Sequence, residues 1–247
     1  MNETGNFFSG TSNVVLPAPN KSFFPEAYRE KTRLTYYGSL FNSVEVNSSF
    51  YKLLRPGTVA KWVAEVPDDF RFSFKLWKQF THNKTLTFDQ QNIDRFLQSV
   101  TPACEKKGSL LIQFPPGLGI DLSGLERLLV QLQHGWPIAV EFRNRLWYRE
   151  ETYSLLEKYY SSLVIHDMPS SPAPLKVTAQ AFVYLRFHGP ERGYRGSYDD
   201  AFLNEYAGYI IDWLAEGKSI YAYFNNTAGA AVHDLARLNK LVAARSF

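Results

Sequence analysis

The chain has 247 residues, 45% of them hydrophobic and 16% aromatic, and 27 Lys plus Arg stand against 24 Asp plus Glu for a formal charge of +3. That length suits one (β/α)8 barrel with a large core, while the mild charge gives no broad electrostatic footprint for nucleic acid. A lone cysteine, Cys104, excludes an intrachain disulfide, and residues 1–10 lack the basic and apolar regions of a signal peptide, so a cytoplasmic protein with no membrane association is expected.

Residues 7–12 predict a first strand running into a small-residue turn, and 16–24, with Pro17, Pro19 and Asn20, a loop. Residues 25–41 carry Ala27, Leu34, Tyr37 and Leu40 or Phe41 on one helical face. A second strand follows over 43–49. Pro56 opens a helix over 58–66 that Pro67 ends. Residues 71–77 alternate strictly as a third strand. The next helix covers 89–107 with a break at Pro102, and Cys104 within it reads as a packed thiol.

Residues 110–114 form a nearly continuous apolar run, as a buried parallel strand requires, and Pro115 and Pro116 end it. A helix over 122–132 closes at Gly135, strand five covers 138–142, a helix 149–160, and strand six 163–165. The Pro/Ser-rich residues 170–174 leave the helix after strand six short or missing. Strand seven covers 182–187, and a Gly/Arg/Tyr-rich loop 189–198. A helix over 200–216, strand eight over 220–224 and a helix over 228–244 finish the chain. Regular alternation of strand and helix predicts a parallel sheet, and eight units in this length predict a closed TIM-type (β/α)8 barrel as one domain over residues 1–247.

Nearly every predicted strand ends in polar side chains. Strand parity puts them on one inward face: Glu45 and Asn47; Ser73, Lys75 and Trp77; Leu111 and Gln113; Glu141 and Arg143; Tyr184, Arg186 and His188; Tyr221, Tyr223 and Asn225. His166 and Asp167 end strand six, and Asn226 follows Asn225. Buried charges are costly unless paired, so such a ring is either a structural ion-pair network or a ligand site at the barrel mouth. Glu45 and Glu141 are the general acid/base candidates, with Asp167 and His188 as secondary ones. Lys75, Arg143 and Arg186 are candidates to bind negative charge, and Asn47, Gln113, Tyr223, Asn225 and Asn226 to contact or orient a ligand. Lys52, Arg55, Arg145, Arg192 and Arg195 add cations nearby, which suits an anionic ligand. His82 follows strand three within reach of the mouth, whereas His134 and His233 read as structural.

A metal site of His166, His188 and the ring carboxylates is conceivable, but no HExxH or cysteine cluster supports it, and hydrogen-bonded histidines are the expectation. A glycosidase pair of Glu45 and Glu141 needs the two carboxylates to converge across the barrel. Lys75, among Phe72, Phe74 and Trp77, is the lysine suited to Schiff-base chemistry, although pairing with a carboxylate is commoner. No nucleophile elbow, phosphate loop or dinucleotide fingerprint names a cofactor.

Certain segments carry a further signal: Gly10-Thr11-Ser12, residues 41–51 from Phe41 to Tyr51, Phe72-Ser73-Phe74-Lys75, Thr81-His82 and Gln113-Phe114-Pro115-Pro116. To these add Glu141-Phe142-Arg143 with Trp147, Asp167-Met168-Pro169, residues 184–189 and Tyr223-Phe224-Asn225-Asn226. With these the chain resembles the YecE-like proteins, domain-of-unknown-function family 72, over nearly its whole length. The resemblance implies a TIM barrel and no particular reaction. Likeness of that family to metal-dependent barrel nucleases and isomerases implies nucleic-acid or sugar-phosphate work. This chain lacks the dense His/Asp/Glu set of a multi-zinc nuclease, and Thr227 stands where an acidic residue often follows the Asn pair. The expectation is an enzyme that hydrolyses or isomerises an anionic, phosphate-bearing or sugar-like small molecule. The alternatives are a nucleic-acid binder or nuclease on the same face, and a non-catalytic metabolite-binding protein.

Overall fold

The computed structural model describes residues 5–83, 85–132 and 135–245. Eight strands are present: β1 Phe7–Thr11, β2 Ser43–Val46, β3 Arg71–Lys75, β4 Lys107–Phe114, β5 Ile138–Phe142, β6 Ser162–His166, β7 Phe182–Phe187 and β8 Ser219–Phe224. They pair in parallel in the order β1-β8-β7-β6-β5-β4-β3-β2, a TIM-type barrel. The helices are α1 Arg33–Gly38, α2 Ser48–Tyr51, α3 Pro56–Ala64, α4 Gln90–Val100, α5 Leu122–Leu132, α6 Glu150–Lys158, α7 Asp200–Ala215 and α8 Ala231–Ala243. No helix lies between β6 and β7 among the described residues, as the Pro/Ser-rich stretch foretells. No described helix is long and apolar enough to cross a membrane.

The seam between β1 and β2 is closed mainly by side chains. Only Ser12 and Glu45 form a β-bridge there. Asn42 replaces ladder bonds lower down: its Oδ1 accepts from Ser9 N at 2.9 Å and its Nδ2 donates to Phe7 O at 2.8 Å. Tyr37 does the same higher up, its hydroxyl accepting from Thr11 N at 2.7 Å and donating to Ser43 O at 2.9 Å. Gly10 makes room for this: a Cβ there would lie 1.9 Å from Ser43 O and 2.8 Å from the Tyr37 hydroxyl. Tyr37→Phe leaves the Thr11 N–H buried without an acceptor, and a loss of about 1–3 kcal/mol in urea unfolding is expected.

Four local expectations are corrected. The helix expected over 25–41 is a 3-10 turn, Glu26–Tyr28, and then α1, because Thr32 starts a new helix by accepting from Thr35 N at 3.0 Å. The strand expected over 43–49 stops at Val46, because Asn47 adopts helical angles (φ −87°, ψ −13°) and starts α2. Asn47 therefore does not continue the inward parity of Glu45. The third strand likewise ends at Lys75, before Trp77. Beyond α4 the chain runs as a 3-10 segment, Thr101–Lys106, in which Cys104 takes a positive φ of 46°. That conformation turns Cys104 to the surface, so it is an exposed thiol and not a packed one. His134 lies outside the described residues.

The main core fills the shell between strands and helices with outward residues such as Val44, Phe72, Phe74, Ile112, Val140, Leu185 and Phe224. A second cluster fills the barrel interior: Phe8, Leu111, Ala139, Val164, Phe182, Tyr184, Tyr221 and Tyr223. A barrel is thus packed and not hollow. Tyr223 reaches from β8 to the hydroxyls of Ser43 (2.6 Å) and Ser73 (2.8 Å). Above this plug the inward side chains become charged.

Candidate functional site

The strands place Glu45, Lys75, Gln113, Glu141 and Arg186 at their C-terminal ends, inside the barrel. Arg186 is 1% exposed, and Glu45 and Glu141 are 0% exposed. Arg186 grips Glu45 with two parallel bonds, Nε to Oε2 at 2.9 Å and Nη2 to Oε1 at 2.7 Å. Its Nη1 donates to Glu141 Oε2. Glu45 also accepts from Ser12 Oγ at 2.6 Å and from the Tyr184 hydroxyl at 2.8 Å. Glu141 Oε1 accepts from Arg143 Nε at 2.8 Å. Burial is the largest single influence and would raise both carboxyls, but the Arg186 guanidinium and the other donors around them together outweigh it. Arg143 helps at Glu141, which is held well below the usual carboxylate range, and Glu45 is held below it too.

Lys75 stands apart from this neutralised set. Its Nζ donates to Gln113 Oε1 at 2.8 Å and lies 4.2 Å from the centre of the Phe50 ring. No carboxylate among the described residues is paired with it. Burial and the charge of Arg186 outweigh the pull of Glu141 and Glu45, and push the amine down to about 7. The aromatic partner is Phe50, from α2, and not Phe72 or Phe74, which face the helices. His82 packs edge-on against the same Phe50, ring centres 4.9 Å apart. Partial burial, with Lys75, Arg143 and Lys78 nearby, lowers its imidazole to about 4.

The other side of the mouth is built by β6, β7 and the loop after β7. Asp167 Oδ1 accepts from His188 N at 2.6 Å, and its Oδ2 accepts from the Tyr198 hydroxyl. Burial raises its carboxyl to about 6 even though both bonds oppose the shift. His188 is 2% exposed. Its Nδ1 faces Asn225 Nδ2 at 2.9 Å, which assigns the acceptor role to Nδ1 and the proton to Nε2. Nε2 lies 3.7 Å from Glu141 Oε1, beyond hydrogen-bond reach, and has no hydrogen-bond partner among the described residues. Burial pushes this imidazole down to about 4, opposed by Glu141 and reinforced by Arg186 and His166.

The loop between β7 and α7 is anchored from below. Fully buried Asp234 on α8 accepts from Ser197 Oγ at 2.6 Å and from Asn226 Nδ2 at 3.0 Å. Gly189 starts the loop at φ +98°, where a Cβ would lie 2.3 Å from Arg195 O. A cavity of about 530 Å³ lies beneath the loop, lined by Arg143, Met168, Ser170, His188, Arg192 and Tyr194, among others. Arg143 reaches into this group through Nη1 and the Tyr194 hydroxyl, 3.2 Å apart. A larger groove, about 1,140 Å³, opens at the opposite end among Phe7, Ser9, Leu40, Pro67 and Leu214. That end carries the strand N-termini, where TIM barrels build stability and not catalysis.

The structure thus brings together Glu45, Lys75, Gln113, Glu141, Arg143, Arg186 and His188, with Asp167, Asn225 and His82 around them. It does not bring Tyr223 or Asn226 to the mouth. Both are 0% exposed, Tyr223 within the packed barrel and Asn226 under the loop on Gly196 O and Asp234. Asn47 stands at the start of α2 without capping it through its side chain, and its buried Oδ1 has no hydrogen-bond partner among the described residues. Sequence reasoning missed Ser12, Phe50 and Asp234. Ser12 shares the inward parity of Phe8 but was read only as part of a small-residue turn, Phe50 lies beyond the break at Asn47, and Asp234 reads as an ordinary helix residue. Among the described residues no three or more His, Cys, Asp or Glu side chains group as a metal site.

Comparison with known proteins supplies the lineage. The profile of the family described as "Protein of unknown function DUF72" matches residues 8–246. The UPF0759 protein YunF of Bacillus subtilis (strain 168) is 28% identical over 245 residues, covering 86% of this chain and 87% of YunF. Two solved structures share the fold. A DUF72 family protein from Enterococcus faecalis V583 has a TM-score of 0.82 at 23% identity, covering 96% of this chain and 95% of that one. A DUF72 family protein from Thermotoga maritima MSB8 has a TM-score of 0.77 at 23% identity, covering 96% and 99%. The profile match over nearly the whole barrel, mouth included, makes this chain a member of the DUF72 family.

Proposed function

We propose that the barrel mouth binds a small anionic substrate, phosphate-bearing or sugar-like, and moves a proton within it, so that the reaction is an isomerisation. One observation carries the reading. The two ring carboxylates, Glu45 and Glu141, are consumed by two guanidiniums, Arg186 and Arg143, which leaves Lys75 without a carboxylate partner among the described residues. The protonated share of Lys75 therefore adds positive charge to the ring, while on the cavity wall exposed Arg192 stands beside exposed Glu191. The cavity, about 530 Å³, falls within the ~300–1,000 Å³ of small-molecule sites.

The electrostatics favour isomerisation over the hydrolysis of glycosides. That hydrolysis uses one carboxyl as a protonated acid. Glu45 and Glu141 are both held ionised, so neither suits the task. They act instead as positioning residues that fix Arg186 and Arg143. The groups that exchange protons near neutrality are Asp167, at about 6, and Lys75, at about 7. Arg143 binds the anionic group, Gln113 and Asn225 orient polar groups, and neutral His188 offers its unpartnered Nε2–H to a substrate oxygen. The test is a panel of sugar phosphates in D2O followed by NMR. Catalysed deuterium uptake at a carbon beside a carbonyl, lost in Asp167→Asn, is expected. Release of inorganic phosphate or free sugar without such uptake would sink the isomerase reading.

A further inference from the structure

We infer that Lys75 is an amine nucleophile that captures a carbonyl substrate as an imine, because its nitrogen rests on the Gln113 amide oxygen and the Phe50 ring where a carboxylate would normally stand. The inference rests on the reading above and names its substrate class: an anionic aldehyde or ketone.

A buried lysine is ordinarily held as an ammonium by an acidic partner. The carboxylates nearest in charge, Glu141 and Glu45, are committed to arginines instead. Gln113 Oε1 accepts one N–H at 2.8 Å, and Gln113 Nε2 is itself fixed on Phe114 O at 3.0 Å, so the amide cannot drift from this role. Phe50 covers one side of the nitrogen at 4.2 Å. Lys75 is 8% exposed, and imine formation requires that this opening admit the carbonyl carbon. Arg186 and Arg143 repel a third positive charge, and with burial they leave a large share of the amine neutral at pH 7. These are the conditions under which a lysine attacks carbonyl carbon.

The step balances without an oxidant or reductant. The nitrogen lone pair bonds to the carbonyl carbon as the C=O π pair moves onto oxygen. Both protons of the neutral amine end on that oxygen, which departs as water and leaves C=N. Protonation of this imine draws electrons from the neighbouring C–H bond. That is the proton an isomerase moves.

Borohydride trapping tests this on the intact wild-type protein, read by peptide mass mapping. The probes are dihydroxyacetone phosphate, neutral dihydroxyacetone, and glycerol 3-phosphate, which has no carbonyl and is read by thermal shift. We expect Lys75 to be labelled at least tenfold faster than Lys61, whose side chain is 75% exposed, with a pH midpoint near 7. Lys75→Arg should lose that adduct, and the wild-type map stands whether or not the variant folds. Preferential labelling by the phosphorylated ketone supports both the imine and the anion site. Equal labelling by the neutral ketone supports the imine and removes the anion site. No preference for Lys75, with a melting temperature raised by glycerol 3-phosphate, overturns the imine alone. Absence of both effects overturns the two together.

Discussion

Arg186→Met is expected to cost about 3–5 kcal/mol of folding stability. The change strands two fully buried carboxylates, Glu45 and Glu141, that face each other through the guanidinium it removes. Domains of this kind hold only ~5–15 kcal/mol in total, so the variant sits near unfolding. Adding Glu45→Gln and Glu141→Gln to it should restore much of the loss, because neutral amides remove the repulsion. Urea unfolding of the single and triple variants measures this coupling. Equal losses in both would mean that the cluster's charges do not govern its stability. The same logic gives an acid limb. Both carboxyls titrate lower folded than unfolded, so their stabilisation is complete above the unfolded value of 4.5 and is lost as pH falls through the folded values.

Lys75→Met is expected to make the protein about 1–3 kcal/mol more stable at pH 7. The native amine titrates at about 7 against 10.5 when unfolded, so between those values the unfolded chain binds more protons. Wild-type stability therefore rises as pH climbs through that window, and the variant lacks the rise. Its advantage should narrow by pH 10. The gain is less than the titration gap alone implies, because the Gln113 amide oxygen loses its donor. Denaturation midpoints at pH 7, 8.5 and 10 decide the matter: parallel curves for the two proteins would mean that Lys75 is an ordinary ion-paired lysine. A residue that destabilises the fold it sits in is better explained by chemistry than by packing.

Strand positions and inward parity were legible because both faces of a parallel barrel strand are dictated by burial. Phe182–Phe187 and Ile138–Phe142 show this, matching their apolar runs end to end. Parity also found Glu45, Lys75, Glu141 and Arg186, since period-2 alternation is local. Partners were not legible. That Arg186 grips both carboxylates depends on strand stagger around the barrel, which no single strand encodes. The aromatic beside Lys75 was sought on its own strand, but Phe50 arrives from α2 after Asn47 breaks the alternation. Asn226 looked like a ring member because it follows β8, yet the turn there sends it under the loop to Asp234. Parity holds only while the backbone stays extended, and it fails at the strand ends where sites are built.

The central claim is that the ring's carboxylates are spent on Arg186 and Arg143, so the mouth attracts an anion. Calorimetric titration of glycerol 3-phosphate into the wild type, Arg143→Met and Arg143→Lys tests it most directly, with melting temperatures recorded alongside. The account predicts saturable wild-type binding with one site, weakened at least tenfold in Arg143→Met and partly kept in Arg143→Lys, all three remaining folded. Undiminished binding in Arg143→Met, or no wild-type binding of any phosphorylated three- to six-carbon compound, would contradict it.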